Sequence, residues 1–512
     1  MSERGVETLR RCYEASIFLK KEMSRWLSQS ARMDGPGPNG GGEDEANYAL
    51  AWFQHHLITR EEAAARQFRK LLSALKGWVE RECVDGYEPK AEAHHGTEPF
   101  LLFLPRYIDL FPEDESAQRL LLGAAQHIGN WHPESPDWFD DRRGCFRSFH
   151  LGTRHVGSDP RYAYEFTDHI RFLHIALAAY RASGQQRYAD WAVKYGRVWA
   201  KRIAACDTIP VVWTQMGEPV AAESLDPQTR RAAAGHHIPN DPLGGVENLL
   251  ASGAVYAFGD LFSLNREPLF AQAANRIASQ LISTLNDPFA DPGAAALCYT
   301  RQAFGDRSLD AALLEEIARF PKEPPRPLAM LFPEERKRRE PGVGKRSDMI
   351  YWAEWREDGS ARPLQAPTTA AYALAYQMTR EPIYARLALE TAGRKLAMAR
   401  RVLRGGREHA DMGGAVCSVA AGHGRNWGCG AVTGCYGPLL LGTREILGAV
   451  TPRYEFAGGR VPDGLLPLAS DGAVLFYNGS KKRLDIEWRQ LGKSGWEKWT
   501  LQPSESAERI LE

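Results

Sequence analysis

The chain has 512 residues, enough to bury a large core. Its 64 Lys plus Arg balance 64 Asp plus Glu, so the formal charge is zero; this excludes a general basic field for nucleic acid or anionic lipid. No apolar run approaches the roughly 20 residues of a membrane span, and the opening MSERGVETLRRCYEASIFLKKEM has Arg, Cys and Glu where a signal peptide needs an apolar stretch. The expectation is a soluble, cytoplasmic protein as written, or a periplasmic or secreted one if a leader has been removed. The eight cysteines (12, 83, 145, 206, 298, 417, 429 and 435) form no CxxC and read as reduced thiols.

From the N-terminus onward, one pattern recurs: an apolar helix, a polar turn, then an amphipathic helix. Degenerate copies occupy 45–79 and 96–131; clearer ones occupy 169–203, 246–284 and 368–402, and a sixth begins at CGAVTGCYGPLLLGTREILG. Two turns match closely, NREPLFAQAA and TREPIYARLA, each with Pro in the first turn of the second helix, where its missing N–H costs least. The first helix of each pair is apolar nearly all round and therefore buried, while the second has one charged face. Two concentric layers follow. The fold class is mainly α, an (α/α) barrel or toroid of about six helical hairpins spanning 1–450. A charged, Pro-rich stretch at 320–366 reads as a solvated excursion. From about 451 to 512, apolar and polar residues alternate between Gly-rich turns, as in GAVLFYNGSKKRLDIEWRQ, and predict a small β-rich appendage.

The long loops lead into the inner helices, and polar and aromatic residues collect there. Loops on a rigid ring converge on one end and suit a site. The first carries His94 and His95 ahead of Glu98, whose other reading is a helix cap. The second carries Trp131, His132, Asp137, Trp138, Asp140, Asp141, Arg154 and His155, then Glu165 and His169, four apart on one predicted helical face. The third, GHHIPNDPLGGVEN at 235–248, supplies His236, His237, Asn240, Glu247 and Asn248, with Pro239 and Pro242 fixing the turn and Gly244–Gly245 permitting a close approach. The fourth adds Tyr299 and Arg301, and the fifth His423, Arg425, Asn426 and Trp427. Cys417, His423, Cys429 and Cys435 fall within 19 residues, but not at the spacing of a familiar zinc finger. No HExxH, Walker or GxSxG motif occurs.

His, Tyr, Arg and Asn together suit β-elimination from a uronic acid. The C5 proton leaves only if the neighbouring carboxylate is neutralised as charge develops, and His or Tyr can then move protons. The layout of residues 40–450 and this residue mix resemble the polysaccharide lyases with (α/α) toroid folds, the alginate, glucuronan and glycosaminoglycan lyase type. The resemblance implies a lyase acting on an acidic poly- or oligosaccharide, with neither metal nor organic cofactor and no nucleic-acid or membrane partner. It implies Tyr299 as acid or base, His237 or His236 as partner base, Arg301 as carboxylate clamp and Asn240 or Glu247 as neutraliser. His94, His95, Trp131, Arg154, His155, Glu165, His169, Asn248 and Trp427 would line the substrate. A glycoside hydrolase on the same fold would instead need two flanking carboxylates, drawn from Asp137, Asp140, Asp141, Glu165 and Glu247. A sugar epimerase using histidines for proton transfer, or a non-catalytic glycan-binding protein, would fit the same layout.

Overall fold

The computed structural model describes residues 3–32, 43–89, 97–209, 212–221, 224–234, 244–285, 287–289, 291, 293–323, 328–331, 351–355, 358–363, 368–401, 403, 417, 420–421, 430–446 and 449–511. Its helices are α1 (Glu3–Ser30), α2 (Glu43–Thr59), α3 (Glu62–Glu82), α4 (Leu104–Leu110), α5 (Glu115–Gln126), α6 (Arg171–Ser183), α7 (Gln186–Ala205), α8 (Pro227–Ala234), α9 (Gly244–Ala251), α10 (Ala254–Asn265), α11 (Pro268–Leu281), α12 (Gly293–Phe304), α13 (Asp310–Ala318), α14 (Ala370–Thr379), α15 (Pro382–Arg400) and α16 (Tyr436–Leu440). A π-helical turn, Pro99–Phe103, precedes α4.

The apolar helices form the inner layer. Every residue of α6 from Arg171 to Ala179 is buried, as are the first eight residues of α10 and of α14. Their partners α7, α11 and α15 bury one face only, for example Phe270, Ala273, Ala274, Ile277 and Leu281 of α11. Among the described elements, α2, the turn before α4, α6, α10, α12, α14 and α16 touch in chain order, and α16 returns to α2.

The turns from inner to outer helix repeat one device. Arg60, Arg266 and Arg380 all sit in the left-handed region, at φ 55°, 58° and 59°. Their N–H groups donate back to His56, Phe262 and Tyr376 carbonyls, each at 2.8 Å. The preceding Thr59, Asn265 and Thr379 side chains accept from the N–H of Glu61, Glu267 and Glu381 at 3.2, 3.0 and 3.2 Å. The left-handed conformation costs a non-glycine residue on the order of 1 kcal/mol, offset by two hydrogen bonds that satisfy the helix end. Pro268 and Pro382 then open the outer helices, as their positions in the sequence predict.

Among the described residues, three-stranded sheets occur in two segments. Within 320–366, residues Leu328–Leu331, Tyr351–Trp355 and Ala361–Pro363 pair antiparallel, where the composition predicts only a solvated excursion. Near the C-terminus, Tyr454–Phe456, Leu484–Gln490 and Glu497–Leu501 form one antiparallel sheet, and Leu465–Ala469, Ala473–Asn478 and Ser506–Ile510 another. Aromatic side chains join them, with Phe476 packed edge-on against Trp488 at 5.0 Å and Trp499 at 5.5 Å.

The ring closes by hydrogen bonds. Gln54 of α2 donates to the Thr433 carbonyl at 3.2 Å and accepts from the Gly437 N–H at 3.0 Å. His55 Nδ1 lies 3.1 Å from the Tyr436 hydroxyl. Outside this seam, Glu22 of α1 accepts two bonds from Arg400 of α15, at 2.8 and 3.0 Å, and is itself buried. Truncating Gln54 leaves two buried backbone groups unpaired. Gln54→Ala is therefore expected to cost about 3 kcal/mol, read as a lower urea midpoint at unchanged m-value; an unchanged midpoint would show that this seam contributes nothing.

Candidate active site

The loops that lead into α4 and α6 bring together three charged side chains. Glu98 is the residue before the π-helical turn, yet its side chain makes no capping bond. Instead one carboxylate oxygen bonds the Arg171 guanidinium, which lies at the first position of α6. Arg171 also reaches Thr97 Oγ1 at 3.4 Å, and its Nε is 3.8 Å from Asp168. All three side chains are largely buried, 6% exposed for Glu98, 11% for Arg171 and 15% for Asp168. The second Glu98 oxygen, Oε2, has no hydrogen-bond partner. A π-helical turn is a rare element that concentrates at functional positions.

An aromatic layer supports this group. Phe146 packs on His169 at 4.8 Å and on Phe172 at 4.9 Å, while Trp138 contacts Phe172 at 5.6 Å and Tyr87 at 5.1 Å. Trp138 Nε1 donates to the Gly152 carbonyl at 3.1 Å and so ties down the long second loop.

Glu165 and His169 do not share a helix, although their spacing predicts one. Glu165 lies on a short strand, Tyr164–Phe166, paired with Val212–Thr214, and His169 lies in a 3-10 turn, Thr167–Ile170. The helix begins only at Arg171. Glu165 is fully buried and accepts from the Phe146 N–H at 2.8 Å, the Tyr195 hydroxyl at 3.0 Å and Arg202. Burial raises its pKa and Arg202 opposes that shift. It fastens the loop to α7. Trp131 does likewise, edge-on to Tyr188 at 5.1 Å with Arg187 over its ring at 5.5 Å. Arg154 and His155 are exposed, Asp140 caps its own turn through the N–H groups of Arg142 and Arg143, and Asp141 pairs with Lys194 at 3.0 Å.

Tyr299 and Arg301 lie elsewhere. The Tyr299 hydroxyl is buried, 3.4 Å from the Tyr256 carbonyl, and burial holds its pKa far above the ordinary value, with the charge of Asp260 adding to the shift. Arg301 binds Asp310 through two nitrogens, at 2.6 and 2.9 Å, and Asp471 through the third. It is occupied by ion pairs within the ring. Asn248 is buried on α9, which contacts the 3-10 turn carrying His169. For Glu247 only the backbone, in α9, is described. His94, His95, His236, His237, Asn240, His423, Trp427 and Cys429 lie outside the described residues. Among the described residues no His, Cys, Asp and Glu group is arranged to hold a metal.

Sequence reading singles out Glu98 but passes over Asp168 and Arg171. The available signal was an acid three residues before a base at the start of an inner helix.

No protein-family model matches the chain, and no curated protein matches it in sequence. Solved structures similar to it include the unsaturated glucuronyl hydrolase from Bacillus sp. GL1, responsible for the degradation of glycosaminoglycan (13% identity, TM-score 0.38, covering 62% of this chain and 79% of that one). Another is an unsaturated glucuronyl hydrolase specific for heparin (11% identity, TM-score 0.42, covering 76% and 97%). A third is cellobiose 2-epimerase from Bacillus thermoamylovorans (10% identity, TM-score 0.31, covering 53% and 87%).

The joint between α9 and α10, beside this site, packs against a buried histidine. Gly253 breaks the helix at φ 72°, and buried His174 of α6 bonds the Ser252 carbonyl through Nε2 at 3.1 Å. Burial lowers the His174 pKa from 6.5 to about 3. The unfolded chain therefore binds more protons between those values, so the stability contribution is complete above pH 6.5 and is lost as pH falls toward 3. His174→Gln, which keeps a donor without titrating, is expected to flatten the loss of unfolding free energy over that interval. Equal slopes in urea titrations of the two proteins would refute the assignment.

Proposed function

We propose that the chain is a glycan-processing enzyme, a glycoside hydrolase whose acid–base pair is Glu98 and Asp168. The observation that carries this reading is their placement on one guanidinium, that of Arg171, with the second Glu98 oxygen unengaged. Hydrolysis of a glycosidic bond needs one carboxyl group to protonate the leaving oxygen and a second carboxylate to activate water or attack the sugar. In this reading Glu98 acts through its unengaged oxygen on the water, Asp168 serves as the acid, and Arg171 holds both in register. Their seats at the entries to two rigid inner helices lower the reorganisation cost of reaching the transition state.

The substrate class is a poly- or oligosaccharide, and uronate-bearing glycans are the first to assay. Elimination, the competing chemistry for a uronate, would draw on Tyr299 and Arg301; the first is buried beside the Tyr256 carbonyl and the second is saturated by carboxylates. The two chemistries leave different products. Hydrolysis creates reducing ends without a new conjugated double bond, whereas elimination creates both.

Incubation with a panel of uronate and neutral glycans is expected to release reducing ends with no gain in the ultraviolet absorbance of an unsaturated uronate. Glu98→Gln and Asp168→Asn should each lower kcat at least about 100-fold, with circular dichroism unchanged. Gain of that absorbance, epimerised product without cleavage, or full activity in both variants would overturn the reading.

A further inference from the structure

A small, mostly apolar pocket with a few polar groups lies inside the ring, between α10, α12, α14 and α16, and the glycosidase reading does not use it. Its volume is ≈ 60 Å³. That is far below the ~300 Å³ at which ordinary ligand pockets begin. A sugar ring is too large for it. Tyr299, Gln302, Gln377, Thr443 and Arg444 contribute polar groups to its lining, and among the described residues no carboxylate lines it.

Guanidinium groups gather at one side of the pocket. Among the described residues, Arg301, Arg307, Arg444 and Arg453 lie near Asp310 and Asp471, and buried Asp260 stands near Tyr299. Arg301 takes Asp310 and shares Asp471 with Arg307, which stands 3.8 Å away. Arg453 donates to the Ser470 carbonyl at 2.6 Å, and its pKa is depressed by burial and by the neighbouring charge of Arg444. Among the described residues no carboxylate lies within ion-pair distance of Arg444, and its buried Nε has no hydrogen-bond partner. The Thr443 hydroxyl, on a residue 3% exposed, has none either. Leaving a guanidinium nitrogen and a hydroxyl buried without partners is costly.

Other groups at the pocket are already turned toward one another. The Cys298 thiol donates to Gln377 Oε1 at 2.7 Å, and Gln302 Nε2 lies 3.3 Å from Cys298 Sγ. The Tyr299 hydroxyl makes only the long 3.4 Å contact to a carbonyl. The partnerless Arg444 Nε–H and Thr443 hydroxyl at this lining are complementary to an oxyanion. The volume restricts that anion to a few atoms.

We infer that this pocket binds a small carboxylate-sized oxyanion, held by the Arg444 Nε–H and the Thr443 hydroxyl. The site is independent of the proposed hydrolase activity and of the Glu98 cluster.

The test uses the full chain with sodium acetate, and sodium chloride at matched ionic strength as control. Acetate is expected to raise Tm saturably, as ligand binding to the native state requires, and to give a measurable Kd by calorimetry; inorganic phosphate, which is bulkier, should do neither at the same concentration. Arg444→Leu should weaken acetate binding at least about 100-fold, and Thr443→Val about 10-fold. Equal effects of acetate and chloride, or an unchanged acetate Kd in Arg444→Leu, would overturn the inference. If Arg444→Leu does not fold, Thr443→Val decides: an unchanged Kd there refutes the site.

Discussion

The whole arrangement depends on a noncovalent seam between the beginning and end of the helical body. Gln54 and His55 on α2 meet Thr433, Gly437 and Tyr436 around α16. A layer of inner helices has no edge only if its last member finds its first, since an open layer would expose apolar surface on α2 and α16. Hydrogen bonds to backbone groups suit this task better than apolar contact alone, because they specify register as well as proximity. The outer layer repeats the logic with Glu22 and Arg400, a buried carboxylate paired in two bonds.

Closure also determines where chemistry can be assembled. Glu98 and Arg171 are 73 residues apart in sequence, yet they begin neighbouring inner helices and so face each other at one end of the ring. The intervening loop is held by interactions that look functional in sequence and are mechanical in structure: Glu165 with Arg202 and Tyr195, Trp138 with the Gly152 carbonyl, Trp131 with α7. Their work is to keep the aromatic layer beneath Arg171 in place, which leaves Glu98 and Asp168 as the carboxylates against Arg171 among the described residues.

The hairpins were legible because helix period and turn chemistry are local. The likeness of NREPL and TREPI corresponds to left-handed arginines with φ values within one degree, and a third copy at Arg60 follows the same rule. Buried apolar helices and one-faced partners were legible for the same reason, as was the alternating pattern that becomes the C-terminal sheets. The acidic pair was not. Its visibility depends on which helices are neighbours in the ring, and the segment EFTDH reads as helix only because the pairing of Tyr164–Phe166 with Val212–Thr214 is invisible at short range. A strand in place of that turn of helix turns attention from Glu165 and His169 to Asp168 and Arg171. The sheet within 320–366 was missed likewise, since charged, Pro-rich composition says little about pairing.

The seam has a temporal side as well. Gly437 and Gln54 are separated by 383 residues, and Arg400 and Glu22 by 378. During synthesis the N-terminal helices must wait for nearly the whole chain before their closing partners exist, with the apolar side of α2 and the groove of α1 uncovered in the interval. Hairpins joined by tight, self-capped turns can form early, whereas ring completion carries the entropic cost of bringing distant segments together. The chain is thus built from local units that can form early and whose collective enclosure comes last.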